Sequence, residues 1–102
     1  MSFLSGPFVW SKMMIGPDER VGWFVYILTC SDGTLYTEVT TDVERRIREH
    51  DSPRDGARYT RSRRPVRLFH SEGPMTRSEA LRMEIKIKQM SRKDKLELGG
   101  RS

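Results

Sequence analysis

The feature that most constrains this chain is an unbroken apolar run, WFVYILTC, at residues 23–30. Its aromatic and β-branched residues predict a β-strand. Because both faces of that strand would be apolar, we expect it to lie in the centre of a sheet and to be covered on both sides. The sequence Ser31-Asp32-Gly33 predicts a turn, and Leu35–Thr40 (LYTEVT) predicts the returning strand of a hairpin.

Helix-start signals follow the hairpin. Each predicted helix begins at a Ser or Thr that stands three positions before an acidic residue, the pattern that caps free amide groups. The predicted helices pair Thr41 with Glu44 and run to about His50, pair Thr76 with Glu79 and run to about Met90, and pair Ser91 with Asp94 and stop at Gly99-Gly100. Val66–His70 predicts a third strand. This order indicates an α+β domain with a small antiparallel three-stranded sheet flanked by helices.

The 102 residues fit one domain, which we place at residues 23–98. Residues 1–22 are expected to form an N-terminal arm, partly disordered or docked, and residues 99–102 a tail. The apolar residues of the arm allow contact with the domain or with a second copy, so we expect a monomer or a weak dimer. No apolar run is long enough to span a bilayer. The single cysteine, Cys30, favours a reducing cytoplasm.

The length of the hairpin loop decides where two strand tyrosines point. A two-residue Asp-Gly turn would place Tyr26 and Tyr36 on opposite faces of the sheet. A three-residue loop, with Gly33 in the left-handed conformation, would place them on one face and set Tyr26 opposite Glu38. The sequence allows both loops.

The first predicted helix carries an arginine and a histidine next to its apolar stripe. With about 100° between successive residues, Val43 and Ile47 form the inward stripe, and Arg46 and His50 lie beside it, one turn apart. The other two arginines of that helix fall on the far side. An Arg–His pair at this spacing can hold a phosphate and move a proton. On helix geometry alone, a solvated surface pair is the simpler interpretation.

Glu84 projects between two apolar stripes of the second long helix. A carboxylate held between apolar arcs is partly desolvated and favours a cation, which a divalent metal could supply. Lys88, one turn further on, could supply it equally well, and for the helix alone that ordinary pair is the simpler interpretation. The two stripes are Ala80, Met83, Ile87 and Met90, and Leu81 with Ile85.

The segment 53–67 concentrates positive charge. It holds six arginines against one acid, Asp55, in a chain of net charge +5. Arginines spread along a loop with Tyr59 among them favour contact with a phosphate backbone and stacking on bases. The alternative is a solubilising charged loop. The six arginines are Arg54, Arg58, Arg61, Arg63, Arg64 and Arg67.

Taken in order, several short pieces resemble the GIY-YIG nuclease superfamily, and in particular its small stand-alone bacterial members. The resemblance covers Trp23 to about Leu98. Each piece alone is weak, whereas their order and spacing are specific. The pieces are VYIL at 25–28, LYT at 35–37, TDVERR at 41–46, ARYTR at 57–61, RRPV at 63–66, RSEAL at 77–81, and Glu84.

The resemblance implies a DNA endonuclease that hydrolyses phosphodiester bonds with Mg²⁺ or Mn²⁺ at a single site, with DNA repair as the expected setting. Tyr26 and Tyr36 would be the paired motif tyrosines, Arg46 the catalytic arginine, His50 the histidine one turn later, and Glu84 the metal ligand. A tyrosine with His50 nearby would take the proton from water. Since an unperturbed tyrosine has a pKa of about 10, positive charges in the site would have to lower it.

The chain departs from this pattern at position 38. Similar proteins have Tyr-x-Gly, whereas this one has Tyr36-Thr37-Glu38. Glycine in a strand lets a ligand approach closely, and Glu38 adds bulk and negative charge there. Glu38 either repels the DNA phosphate, or adds a metal ligand. We favour repulsion, because the substrate is an anion, and we then expect a contact between Glu38 and Arg46.

Three functions follow from these patterns. The leading hypothesis is a metal-dependent DNA endonuclease weakened by Glu38. The alternative is a DNA-binding module on the same fold that does not cleave. The third is an adaptor that binds proteins through its N-terminal arm.

Overall fold

A computed structural model describes residues 20–52 and 54–99 of the chain. Within these ranges, three strands form one antiparallel sheet and four helices accompany it. Residues 1–19 of the predicted arm and residues 100–102 of the predicted tail lie outside the described residues. The elements are β1 (Val21–Thr29), β2 (Leu35–Thr40), α1 (Val43–His50), α2 (Arg58–Arg61), β3 (Arg67–Thr76), α3 (Arg77–Lys88) and α4 (Arg92–Gly99).

The sheet has the order β2-β1-β3, so the apolar run lies in its centre as predicted. Tyr26 and Leu28 point to one face, where Val43 and Ile47 of α1 pack against them. Val25 and Ile27 point to the other face, where Ile87 of α3 covers them. Together, these layers bury the middle of β1 completely, from Val25 to Leu28.

The β1–β2 hairpin uses the three-residue loop. Tyr26 pairs with Glu38 and Leu28 pairs with Tyr36, while the Cys30 amide donates to the Thr34 carbonyl over 2.9 Å. Gly33 has φ +84°, a left-handed conformation that glycine adopts without steric cost. Because side chains alternate along a strand, this register places Tyr26, Tyr36 and Glu38 on the same face as α1.

Helices α1 and α3 begin differently. The capping box of α3 is confirmed, since the Glu79 amide donates to Thr76 Oγ1 and the Thr76 amide donates to Glu79 Oε1. The predicted cap of α1 at Thr41 is wrong, because Asp42 holds that position and accepts from the Arg45 amide over 3.0 Å. The backbone of Asp42 is still extended, with φ −149°, so α1 starts at Val43.

Other boundaries also differ from the prediction. β1 begins at Val21, two residues before the predicted domain, because Val21 pairs with Thr76 of β3. β3 covers Arg67–Thr76 rather than Val66–His70, and irregularities in its register with β1 allow it to continue through polar residues and a Gly-Pro pair. The predicted loop contains the short helix α2.

The second apolar stripe predicted on α3 does not face the core along its length. Ala80 and Ile87 are buried and Met83 packs against the core, but Ile85 is 58% exposed. A helix that covers one face of a sheet turns only one stripe inward, and Ile85 lies outside it. In the described part of the chain, no helix is both long enough and apolar enough to cross a membrane.

Candidate active site

The predicted catalytic side chains meet on the face of the sheet that α1 covers. Tyr26 comes from the middle of β1, and Tyr36 comes from β2. Arg46 and His50 come from α1, whose inward residues Val43 and Ile47 fix the helix against the sheet. Four side chains from three elements therefore form one cluster.

Glu38 lies at the centre of this cluster. Its Oε1 atom accepts hydrogen bonds from the Tyr26 hydroxyl at 2.6 Å and from Arg46 Nε at 3.0 Å, and lies 3.3 Å from His50 Nε2. Its Oε2 atom accepts from the Tyr36 hydroxyl at 3.1 Å. The expected contact between Glu38 and Arg46 is confirmed, and one carboxylate engages all four predicted catalytic side chains.

Solvent reaches only part of the cluster. Tyr26 and His50 are 0% exposed, whereas the side chains of Arg46 and Glu38 are 21% and 25% exposed. The interpretation of His50 as a solvated surface residue is therefore wrong. The Tyr26 hydroxyl and His50 Nε2 both contact Glu38, so this buried pair adjoins the partly exposed carboxylate.

Arg46 is also held from its other side. Its Nη1 atom donates to Glu49 Oε1 at 2.8 Å and to the Asp55 carbonyl at 3.1 Å. Burial disfavours the charged guanidinium, but the hydrogen bonds to Glu38 and Glu49 outweigh that effect and raise the pKa of Arg46. The sequence reasoning missed Glu49, although its position three residues after Arg46 on a helix is a usable signal.

Glu38 is ionised in this environment. Burial by itself would raise the pKa of the carboxyl group, but hydrogen bonds from His50, Arg46 and Tyr26 outweigh burial and hold the pKa well below its usual range. A buried charge needs such partners to remain charged. The centre of the cluster therefore carries a negative charge at neutral pH.

The expected lowering of the tyrosine pKa values is wrong. Burial, followed by the hydrogen bond and the charge of Glu38, raises the pKa of Tyr26. Burial and the charge of Glu38 raise the pKa of Tyr36 to about 12. Arg46 acts in the lowering direction on both tyrosines but is outweighed. With Glu38 in place, neither phenol is prepared to give up its proton.

Glu84 stands apart from the hydrogen-bonded cluster. Its carboxylate, 16% exposed, pairs with Lys88 Nζ at 2.9 Å, as the simpler interpretation held. It lies near enough to Tyr36 for its charge to contribute to the raised pKa of that residue. Within residues 20–52 and 54–99, no three His, Cys, Asp or Glu side chains are arranged to hold a metal.

Two of the predicted DNA-binding arginines also hold the segment to the rest of the structure. Arg63 donates to Asp32 Oδ2 at 3.0 Å and to the Tyr59 carbonyl at 2.9 Å. Arg64 donates to the Arg61 carbonyl and to the Asp51 carbonyl, each over 3.1 Å. These bonds fasten the segment to the hairpin turn and to the end of α1.

Tyr59 connects the same segment to the cluster. Its ring stacks on Tyr36 with centroids 5.4 Å apart and an interplanar angle of 17°. The Arg63 guanidinium lies 4.0 Å from the centre of the Tyr59 ring. Because the ring already has two partners, the predicted role in base stacking would require one of these contacts to be given up.

The remaining predicted arginines are available at the surface. They are exposed, and in the part of the chain that the structure describes none of them forms an ion pair with a carboxylate. This group comprises Arg54, Arg58, Arg61 and Arg67.

The fold and the cluster define a class of protein that the sequence comparison identifies. The family model of the GIY-YIG catalytic domain matches residues 22–97 of this chain. The chain therefore belongs to the GIY-YIG family, which is a nuclease family. Within it, the chain is similar to UPF0213 proteins of bacteria and archaea.

Two relatives and one solved structure illustrate the similarity. A UPF0213 protein of Desulfotalea psychrophila is 59% identical over 73 residues, which cover 72% of this chain and 66% of that protein. A UPF0213 protein of Halobacterium salinarum is 56% identical over 71 residues, which cover 70% of this chain and 91% of that protein. The solution NMR structure of an E. faecalis protein is 43% identical to this chain and has a TM-score of 0.54. The match covers 78% of this chain and 84% of the E. faecalis chain.

Proposed function

We propose that this chain is a metal-dependent DNA endonuclease whose catalytic centre is restrained by Glu38. The observation that carries the proposal is the convergence of Tyr26, Tyr36, Arg46 and His50 on the two oxygens of one carboxylate. A phosphodiester also presents charged oxygens that accept hydrogen bonds. Groups aimed at the Glu38 carboxylate would therefore hold a phosphate in its place.

Arg46 is the group best placed to stabilise negative charge on that phosphate. Glu49 and the Asp55 carbonyl hold its Nη1 atom, which fixes the guanidinium without using the Nε atom that faces the cluster. A fixed guanidinium favours a transition state in which charge accumulates on the phosphate oxygens. In this chain Glu38 occupies that Nε atom.

Tyr26 and His50 are the groups that would move a proton. The Tyr26 hydroxyl and His50 Nε2 are 2.9 Å apart, a distance at which a proton can pass between them. Glu38 accepts the hydrogen bond of the Tyr26 hydroxyl over 2.6 Å and so competes with His50 for the Tyr26 proton. This competition supports the view that Glu38 lowers the rate of cleavage.

Glu84 is the residue that would hold Mg²⁺ or Mn²⁺ at a single site. Mg²⁺ keeps several waters and needs only one or two carboxylates when a substrate phosphate completes its shell, so one Glu84 carboxylate fits it. Lys88 would have to turn aside, and its side chain, 54% exposed, has room to do so. When bound, the metal would neutralise charge on the scissile phosphate or the leaving oxygen.

The exposed arginines provide a route for DNA to reach the cluster. Arg58 and Arg61 lie on α2, and Tyr59, between them, stacks on Tyr36 of the cluster. An open pocket of about 320 Å³ adjoins Glu38 and Arg46 and is also lined by Arg45. We also propose that the protein acts in the cytoplasm and takes part in DNA repair.

A second candidate function is DNA binding without cleavage. The observation that favours it is that Glu38 engages every predicted catalytic side chain at once, while solvent reaches neither Tyr26 nor His50. In this case the exposed arginines would still bind DNA. Only a cleavage experiment separates the two candidates.

The test replaces Glu38 by Gly and, as a matched control, by Gln. Branched and single-stranded DNA are incubated with each protein in Mg²⁺ and then in EDTA, and cleavage and affinity are measured. Glu38→Gly should raise metal-dependent cleavage and tighten binding, most clearly at low salt, where repulsion is least screened. Glu38→Gln keeps the bulk without the charge, so it should improve binding more than cleavage.

Additional variants make the outcomes distinct. Arg46→Ala should abolish the cleavage gained by Glu38→Gly, while Arg48→Ala, an exposed arginine of the same helix that does not line this pocket, should not. Lower cleavage in Glu38→Gly than in the parent would make Glu38 a working metal ligand and refute the restraint. Salt-sensitive DNA binding without cleavage in any variant would establish the second candidate.

A further inference from the structure

The strongest feature not yet used is a tryptophan beside the catalytic cluster. Trp23 lies near the start of β1, is partly exposed, and lines the open pocket of about 320 Å³ that adjoins Glu38 and Arg46. It stands three residues before Tyr26, which is roughly 10 Å along a strand. The pocket therefore places an aromatic ring next to the proposed site of cleavage.

The Trp23 ring has a cation on one side. The backbone of Trp23 pairs with Met75 of β3, and the Arg77 guanidinium lies over the Trp23 ring, 5.5 Å from its centre. A cation in this position is attracted by the negative charge of the indole face. An aromatic ring has two faces, so a planar ligand could still stack on the face opposite to Arg77.

The charged side chains that line the pocket neutralise one another. They are two arginines and two glutamates. Arg46 lies 3.0 Å from Glu38 through Nε and 2.8 Å from Glu49 through Nη1. Arg45 Nε lies 3.4 Å from the second oxygen of Glu49. Because this lining has no excess of positive charge, it suits an uncharged planar group better than a second phosphate.

A free hydroxyl group at the pocket can meet the polar edge of such a ligand. Thr41 lines the pocket and is exposed, and its hydroxyl has no hydrogen-bond partner among residues 20–52 and 54–99. Thr41 directly follows Thr40, which pairs with Phe24, so it stands beside Trp23 at the open end of the hairpin. A hydroxyl both donates and accepts hydrogen bonds, and the edges of nucleobases present donors and acceptors.

We propose that Trp23 is a stacking platform for a nucleobase next to the scissile phosphate. The base stacks on the indole face opposite to Arg77, and Thr41 contacts its polar edge. Stacking of this kind accepts every base, because every base has a π-face. The inference rests on the proposed function and adds a binding subsite to it, in which Arg46 holds the phosphate and Trp23 fixes the neighbouring nucleotide.

Trp23 could instead serve only to pack the start of β1. That role predicts that a substitution lowers stability and weakens the binding of any DNA strand to the same extent. A strand that keeps the sugar–phosphate backbone but lacks bases separates the two roles, because only stacking depends on the bases. The preference for a strand with bases over an abasic strand is therefore the property to measure.

The first experiment measures the fluorescence of Trp23 in the full chain. Trp10→Phe removes the other tryptophan, so the emission comes from Trp23 alone. A single-stranded oligothymidylate and an abasic strand of equal length are titrated in EDTA at low salt, and the anisotropy of a labelled strand records binding independently. We expect the oligothymidylate to quench Trp23 and the abasic strand to bind without quenching. Binding of the oligothymidylate without quenching, or equal quenching by both strands, would overturn the platform.

The second experiment compares substitutions of the ring. Trp23→Leu keeps an apolar side chain without the ring, so it should weaken binding of the oligothymidylate roughly 5- to 150-fold and leave binding of the abasic strand unchanged. Trp23→Phe should retain most of the affinity. Equal losses for both strands in Trp23→Leu would make Trp23 a packing residue. If Trp23→Leu does not fold, the fluorescence result decides.

Phe24→Leu is the matched control for these substitutions. Phe24 is the neighbouring aromatic residue of β1 and is not among the described residues that line this pocket. Its replacement should change the affinity for neither strand. A loss of preference for the oligothymidylate in Phe24→Leu equal to that in Trp23→Leu would contradict a specific role of Trp23.

The platform and the proposed function can fail separately. Quenching of Trp23 by an oligothymidylate that no Glu38 variant cleaves in Mg²⁺ would support the platform on a chain that binds DNA without cutting it. Cleavage that is unaffected by the loss of the Trp23 ring, with no quenching, would refute the platform and leave the proposed function in place. Failure of both strands to bind would refute both.

Discussion

At the scale of single residues, the charge of Glu38 governs its neighbours. Its carboxylate is held ionised by His50, Arg46 and Tyr26, and in return it raises the pKa of both tyrosines. A glutamate on a protein surface is hydrated by water, whereas the Glu38 carboxylate is surrounded by hydrogen-bond donors of the protein. The same donors are the groups that the family resemblance assigns to catalysis, so their chemistry depends on what occupies position 38.

Replacing Glu38 by Gln should lower the pKa of Tyr36 from about 12. The substitution removes the negative charge that disfavours the phenolate, while burial, the largest cause of the shift, remains. The pKa should therefore fall without returning fully to its ordinary value of about 10. A pH titration of the Tyr36 ring carbon by ¹³C NMR measures this change.

Glu44→Gln is the matched control for that titration. Glu44 lies exposed in the first turn of α1, and in the described structure it has no hydrogen bond to the cluster. Its replacement should leave the titration of Tyr36 unchanged. Identical Tyr36 titration in the parent and in Glu38→Gln would show that burial alone raises the pKa.

At the scale of elements, the segment around α2 combines two functions in one run of arginines. Arg63 and Arg64 hold the segment to the hairpin turn and to the end of α1, while Arg58 and Arg61 face solvent. Gly56 permits the close approach of this segment to α1, since a Cβ atom there would lie 3.0 Å from the His50 backbone. The arginines that hold the segment in place therefore have to be separated from the exposed ones before DNA binding is assigned.

Replacing Arg58, Arg61 and Arg67 together by Ala should weaken DNA binding and flatten its dependence on salt. Removing one phosphate contact should reduce the log–log salt slope by roughly 0.7–0.9, because fewer counterions are released on binding. Arg63→Ala should instead lower the thermal midpoint, since it breaks the links to Asp32 and Tyr59. A salt slope equal to that of the parent would identify the exposed arginines as a solubilising surface.

The helix caps allow a comparison between a correct and a wrong sequence prediction. Thr76→Ala should reduce the free energy of unfolding by about 0.5–2 kcal/mol, because it removes the acceptor for the Glu79 amide. Thr41→Ala should change it by less than about 0.5 kcal/mol, because Asp42 is the actual cap of α1. Urea unfolding measures both values, and equal effects would contradict the assignment of the caps.

At the scale of the whole molecule, the cluster should limit the pH range of maximum stability. The pKa of Glu38 is depressed by folding, so its contribution is present above its unfolded value of about 4.3 and is lost as the pH falls through the folded value. The pKa values of Tyr26 and Tyr36 are raised. Their contributions are present below the unfolded value of about 10 and are lost as the pH rises through the folded values.

Urea unfolding at a series of pH values should therefore show stability falling below about pH 4 and above about pH 10. The difference in stability between the parent and Glu38→Gln should shrink as the pH falls below about 4, because protonation removes the charge that Gln lacks. A difference that stays constant down to strongly acidic pH would show that the Glu38 carboxylate is not the titrating group.

What the sequence determined by itself is local. The apolar run Trp23–Cys30 predicted a covered strand, and the positions of Val43 and Ile47 placed Arg46 beside the inward stripe of its helix. Such properties follow from the periodicity of apolar residues, which indicates the side of a helix or strand that faces the core. The same periodicity could not choose between two hairpin loops, and it missed that Asp42 rather than Thr41 caps α1.

The tertiary structure decided which side chains touch. The packing of α1 on the sheet buries His50 completely and brings Arg46 to Glu38, while α2 brings Thr60 to His50 and Tyr59 to Tyr36. These contacts join residues 8 to 23 positions apart in the chain, so no local spacing specifies them. Glu38 was visible in the sequence as a departure, but its four hydrogen-bonding neighbours exist only because three elements pack at one point.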